Sequence, residues 1–208
     1  MAERKAEKPL VVVVEDDEGM RESVAEILRS VGIDTLGFGS TADLLAAPLP
    51  DRPGCLILDV RLPGLGGLEL QSKLIALGNK LPIIFMTGFG DVPMTVRAMK
   101  AGALDFLTKP FRDQEILDAV SVAIDRDLSR RSAASATAEV EELASTLTPR
   151  EYEVMESVVA GRMNKQIAYQ LGVSEITVKV HRSRVMQKMR VASVADLVRK
   201  VELLKQSA

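Results

Sequence analysis

One cysteine and one histidine, Cys55 and His181, are the only residues of their kinds in a chain of 208. They cannot form a disulfide or a Cys/His zinc cage, and they leave little room for a thiol-based or histidine-based catalytic triad. Any chemistry must come from carboxylates, hydroxyls and lysines. Tryptophan is absent, yet apolar residues reach 47% and charged residues 27%, enough to bury a real core. No apolar run approaches the roughly 18 residues that a membrane span needs. The longest, residues 10–14 and 82–86, have the length of strands. Residues 1–8 alternate in charge and hold no apolar stretch ahead of a cleavage site, so no signal peptide is expected and the chain is expected in the cytoplasm, with no membrane partner.

What is present is organised in two parts. The chain exceeds one average domain of about 100–200 residues, and its charge is divided. Residues 146–208 carry 11 Lys and Arg against 6 Asp and Glu, a net +5, whereas the rest carries a net −7. Such asymmetry predicts a nucleic-acid-binding module joined to an acidic one.

Through the first 125 or so residues, short apolar runs alternate with helical patterns. Strands are predicted at 10–14, 34–38, 55–58, 82–86 and 104–107. Helices are predicted after the first strand up to Gly32, then near 41–46, 67–77 and 93–101 (with Asp91 as a capping candidate), and from Asp113 onward. Five βα repeats predict an α/β fold, a doubly wound five-stranded parallel sheet covered by helices on both faces. Residues 1–127 are read as this domain. The Ala-rich, charged stretch 128–145 favours helix but offers too little apolar surface for a core, so it is read as a helical linker.

Residues 146–208 are helical in pattern throughout. Thr148-Pro149-Arg150-Glu151 opens a helix that Gly161 stops. Asn164 is read as the cap of a helix to Leu171, Gly172-Val173 as a tight turn, and Ser174 as the cap of a long helix to about Arg190, followed by a last helix over 193–204. Two helices joined by a short Gly-containing turn describe a helix-turn-helix. On the long helix Val178, Val185 and Met189 share one face. Lys179, Val180, Ser183, Arg184 and Gln187 lie opposite, a set suited to phosphates, base edges and the thymine methyl group. Lys165 opens the preceding helix, where it can reach the DNA backbone. His181 falls beside the packed face.

The first domain sets polar groups just past its strand ends: Glu15 and Asp16 after the first, Asp59 after the third, Thr87 after the fourth and Lys109 after the fifth. In an open parallel sheet these positions converge. Three acids repel one another, and a divalent cation such as Mg²⁺, or Mn²⁺, offsets that repulsion while binding phosphate oxygens. A carboxylate there can attack phosphorus, with a lysine and a hydroxyl to stabilise the transferred group. Each acid alone is an ordinary helix start or turn residue; the five together read as phosphoryl acceptance.

The stretches Val-Val-Glu-Asp-Asp-Glu (13–18), Leu-Asp-Val-Arg-Leu-Pro-Gly (58–64), Met-Thr-Gly (86–88) and Asp-Phe-Leu-Thr-Lys-Pro-Phe (105–111) resemble the receiver domain of bacterial two-component response regulators. With the C-terminal half, the chain resembles the FixJ/NarL type with a LuxR-type helix-turn-helix, nearest the FixJ and StyR group. The resemblance implies a flavodoxin-like strand order 2-1-3-4-5 and a C-terminal all-α domain of four helices. It implies Asp59 as phosphoacceptor, and a metal held by Asp16, Asp59 and the backbone carbonyl of Arg61, with Glu15 acting through water. Thr87 and Phe106 would form a switch pair, and Lys109 would pair with the phosphate, its bond to Pro110 being cis. A sensor histidine kinase would donate the phosphoryl group. The phosphorylated chain would form a homodimer through Val92, Val96 and Met99, although their helical spacing equally describes a core face. It would bind promoter DNA and act with RNA polymerase, generally as an activator. It would not be a dedicated enzyme, only taking phosphoryl from phosphohistidine and slowly losing it. Two other readings stay open: a phosphohydrolase with Asp59 as nucleophile, although such enzymes usually carry a second acid where Arg61 stands, and a DNA-binding protein whose first domain answers to another ligand.

Overall fold

The computed structural model describes residues 8–88 and 92–206. The chain divides into two compact units, one up to Arg131 and one from Ser132.

The first unit is built on five strands: β1 (Leu10–Val14), β2 (Asp34–Phe38), β3 (Gly54–Asp59), β4 (Ile83–Thr87) and β5 (Asp105–Thr108). All pair in parallel, in the order β2-β1-β3-β4-β5. Every residue of β1, β3 and β4 is buried, as strands covered on both faces must be. Alternate side chains feed two cores. Val11, Val13, Ile57, Ile84 and Met86 pack beneath α1 (Glu18–Ser30) and the start of α5 (Asp113–Ser145). Val12, Val14, Leu56, Leu58 and Phe85 pack on the other side, beneath α2 (Thr41–Ala46), α3 (Gly67–Ala76) and α4 (Val92–Lys100).

Helix starts follow their capping residues. The Asp17 carboxylate accepts from the Met20 amide at 2.7 Å to open α1, and the Ser40 hydroxyl opens α2. Gly67 permits a close approach: a Cβ there would stand 2.3 Å from the Asp59 carbonyl oxygen. The start of α3 therefore lies directly against the backbone that carries Asp59. Asp91 lies outside the described residues. The Lys109–Pro110 bond is cis.

The second unit takes the end of α5 with α6 (Pro149–Val159), α7 (Asn164–Leu171), α8 (Glu175–Lys188) and α9 (Val194–Gln206). Its core joins Val154, Met155, Ile167, Val178, Val185, Met189 and Leu197 with Val140 and Leu143. The last two correct the expectation for residues 128–145: the segment is helical, but its final turns are core. Two apolar residues three apart suffice because α6 and its neighbours supply the rest of the apolar surface. Asn164 is corrected too. It is the first residue of α7, the cap position belongs to Met163, and the Gln166 side chain accepts from the Met163 amide at 2.8 Å. The turn into α8 rests on Gly172, which is left-handed with φ 64°. Among the described residues no helix is long and apolar enough to cross a membrane.

Candidate functional site

The parallel sheet brings the ends of β1, β3, β4 and β5 to one edge, and the polar residues that follow meet there. Asp59 is the last residue of β3 and Thr87 the last of β4. Glu15 and Asp59 are almost wholly buried, at 1% and 7% exposure, and Thr87 is fully buried. Asp16 is exposed. The Lys109 ammonium donates to Asp59 Oδ2 at 2.7 Å and to Glu15 Oε2, so one cation bridges two buried acids. The Asp59 carboxylate also accepts from the Arg61 amide at 2.9 Å. Asp17, occupied as the α1 cap, is not part of the cluster. The Arg21 guanidinium holds the loop by donating to the Glu15 carbonyl at 2.7 Å.

Two acids facing one ammonium leave the pocket short of positive charge. Burial pushes the Glu15 carboxyl above its ordinary value, and the neighbouring Asp59 adds to the rise, against the pull of Lys109. Burial works against the Lys109 charge, yet its hydrogen bonds to Asp59 and Glu15 outweigh that and hold the ammonium above its ordinary value. Carboxylate oxygens of Glu15, Asp16 and Asp59 lie within 4.8 Å of one another. An all-oxygen set of this span, close to the roughly 4.2 Å width of an octahedral Mg²⁺ shell, fits a hard divalent cation.

Thr87 and Phe106 stand on adjacent strands. Phe106 registers with Phe85 and Thr108 with Thr87, so alternation puts Thr87 and Phe106 on the same face of the sheet, offset by two residues. Phe106 is half-buried, its ring tilted 47° to Phe85 with centroids 6.4 Å apart. Among the described side chains of α4, Ala98 is the buried one, while Val96 and Met99 are 43% and 44% exposed. This selects surface over core for those two; the Val92 side chain lies outside the described residues. Cys55 is buried in the sheet, and burial, with Asp127 nearby, pushes its thiol up to about 12, so it is no nucleophile.

In the second unit Val178, Val185 and Met189 are buried, and Lys179, Val180, Ser183, Arg184 and Gln187 are all exposed, as is Lys165 on α7. His181 is half-buried at the edge of the packed face. Lys188, one residue beyond the exposed set, is drawn inward: its ammonium donates to Glu151 Oε2 at 2.6 Å and to the Thr146 carbonyl at 2.9 Å. Ile176 and Tyr169, at 74% and 92% exposure, were not singled out by sequence reasoning. The spacing 176, 179, 180, 183, 187 contained the signal for Ile176.

Sequence reasoning also missed Asp127. Its fully buried carboxylate receives Arg130 at 2.5 Å, Arg131 at 2.7 Å and the Gly54 amide at 3.2 Å. Arg131 reaches on to Asp51 at 2.6 Å and to the Arg52 carbonyl at 2.8 Å. These contacts fasten α5 to the start of β3, on a stretch that the sequence reading gave to the domain end and linker.

Comparison with known proteins agrees with both halves. Residues 11–121 match the response regulator receiver domain, and residues 145–201 match the LuxR family of bacterial regulatory proteins. The chain is 55% identical over 201 residues to nodulation protein W of Bradyrhizobium diazoefficiens, covering 97% of this chain and 88% of that one. It is 46% identical over 189 residues to the transcriptional regulatory protein FixJ of Azorhizobium caulinodans, covering 91% and 90%. The solved structure of the response regulator StyR superposes with a TM-score of 0.85 at 48% identity, covering 94% of this chain and 98% of that one.

Proposed function

The chain belongs to the response regulators that join a receiver domain to a LuxR-type DNA-binding domain, and from that premise we propose that Asp59 is its phosphoacceptor and α8 its DNA-reading helix. Regulators of this kind pair with sensor kinases and promoter DNA, and their receivers use Mg²⁺. The observation that carries the reading is the Lys109 ammonium, 2.7 Å from Asp59 with Glu15 on its other side, at the sheet edge where Asp16 and Thr87 also arrive.

In this reading an Asp59 carboxylate oxygen attacks the phosphorus of a phosphohistidine. The P–N bond breaks and the imidazole leaves with its electron pair. Asp16 and Asp59, the Arg61 carbonyl and, through water, Glu15 would hold Mg²⁺ or Mn²⁺. When bound, the ion supplies charge neutralisation between phosphoryl and carboxylate oxygens. Lys109 keeps its bond to the acceptor and pairs with a phosphoryl oxygen. The Thr87 hydroxyl turns toward the same group, and Phe106 takes the space it leaves. Water later attacks the phosphorus, the P–O bond to Asp59 breaks, and inorganic phosphate leaves with the carboxylate restored, so the chain turns over only its own phosphoryl group.

The phosphoryl group adds about −1.5 to −2 charge. Near-complete switching needs roughly 5.5 kcal/mol of differential stabilisation, and one charge-assisted hydrogen bond gives at most about half. Pairing of two chains through the exposed Val96 and Met99, with Val92, provides the remainder. The paired chains then present two second units to promoter half-sites and to RNA polymerase.

The test is incubation with acetyl phosphate and Mg²⁺, followed by intact mass and sedimentation, for the native protein and Asp59→Asn. The expected result is one phosphoryl adduct and a dimer for the native protein and neither for the variant. Catalytic release of many equivalents of phosphate, or no adduct on the native chain, overturns the reading.

A further inference from the structure

Ile176 occupies an unusual place. It is the second residue of α8, where the helix dipole favours acidic side chains, and a β-branched residue brings no helix preference. It makes no contribution to the core: 74% of it is exposed. Single exposed apolar residues are ordinary, but this one has a companion. Val180, one turn further on, is 45% exposed. At about 100° per residue, Ile176 lies about 160° around the axis from buried Val178, nearly opposite the packed face. It therefore heads the row formed by Lys179, Val180, Ser183, Arg184 and Gln187, all exposed.

The occupant of that row is set by charge. Lys179 and Arg184 flank the apolar pair, Lys165 is exposed on the preceding helix, and residues 146–208 carry a net +5. Such a face suits the phosphate-walled major groove. The apolar feature that bases present there is the C5-methyl of thymine, and the residues nearest a recognition helix's N-terminus reach deepest. Four residues of helix advance about 6 Å, close to two base steps of about 3.4 Å each.

We propose that Ile176 is a specificity-determining residue that, with Val180, reads thymine methyl groups on two bases about two steps apart. The proposal rests on α8 being the DNA-reading helix.

The test begins with duplexes selected from a random library by the full-length protein phosphorylated with acetyl phosphate and Mg²⁺, the state used throughout. The selected site is then resynthesised with deoxyuridine at each thymidine in turn, which removes only the methyl group. Two positions should lose affinity about fourfold each, the equivalent of one buried methyl. Ile176→Ser should bind more weakly and become indifferent to deoxyuridine at one of them, and Val180→Ser at the other, both variants keeping the native salt dependence and circular dichroism. A selected site without thymine, a native protein indifferent to every replacement, or an Ile176→Ser variant with native affinity and sensitivity overturns the proposal. Absence of any salt-dependent DNA binding by the native protein overturns the α8 reading itself, and the proposal with it.

Discussion

Each unit places a lysine ammonium against a buried glutamate: Lys109 against Glu15 in the first, Lys188 against Glu151 in the second. The two contacts look alike, and each acid also accepts a backbone amide, Glu15 that of Asp17 at 3.3 Å; they differ in how many acids share the lysine. Among the described residues, Glu151 shares its lysine with no second acid. It accepts from Lys188 and from the Thr148 amide at 2.9 Å, completing the capping box that opens α6, and the Lys188 hydrogen bond followed by the Thr148 backbone bond holds its carboxyl down at about 2. Glu15 shares its lysine with Asp59, and burial raises it. A buried acid with a lysine of its own is satisfied architecture, whereas two buried acids on one ammonium leave negative charge that a cation would offset.

Removing each lysine in turn sharpens that distinction most. Lys109→Met should slow phosphoryl uptake at Asp59 about 100- to 1,000-fold, the usual loss of one preorganised donor to developing charge, measured as the initial rate of adduct formation by mass. Lys188→Met should leave that rate at the native value. Its effect falls on stability. Breaking a buried pair costs about 3–5 kcal/mol, reduced here to about 2 kcal/mol because the Lys188 side chain is 33% exposed. Hydrogen exchange at the amides of Val154 and Val178 should report the loss, with those of Val12 and Ile57 unchanged. Equal effects of the two substitutions on both readouts would erase the comparison.

A smaller effect should separate the units by ligand. At ten times its dissociation constant, Mg²⁺ should stabilise the first unit by about 1.4 kcal/mol and leave exchange in the second unaltered. Acid should act in the reverse sense. The Glu151 carboxyl is depressed in the folded unit from 4.5 to about 2, so its contribution is complete above pH 4.5 and is lost as pH falls from there toward 2. Lys188→Met should flatten that slope, and a slope unchanged in the variant would assign acid sensitivity elsewhere.

How much was legible follows from the range of the interactions involved. β1 appears in the sequence with its observed bounds, because Leu10–Val14 is apolar and buried at every position and charged or turn residues bracket it. The Thr148-Pro149-Arg150-Glu151 cap was readable because its parts lie three residues apart. Lys188, its second partner, lies 37 residues from Glu151, and nothing local separates it from its exposed neighbours. The tie from Asp127 to Gly54, 73 residues away, was invisible for the same reason, although Arg130 and Arg131 stand three and four residues from it. Val140 and Leu143 read as linker because their own turn holds only two apolar residues; the surface that buries them belongs to other helices.

The order of side chains alone determined which polar residues gather at the strand ends, since strand ends in a parallel sheet converge wherever the hydrophobic alternation places them. It likewise determined the outward row of α8, because helical period and burial of Val178 and Val185 leave no other face. Only the tertiary structure decided charge balance: that Lys109 answers two acids and Lys188 one, that Asp127 is sealed under two arginines, and that the last turns of α5 are core. Those facts depend on contacts between distant segments, and electrostatic energy is set by separation in space, which a linear sequence does not contain.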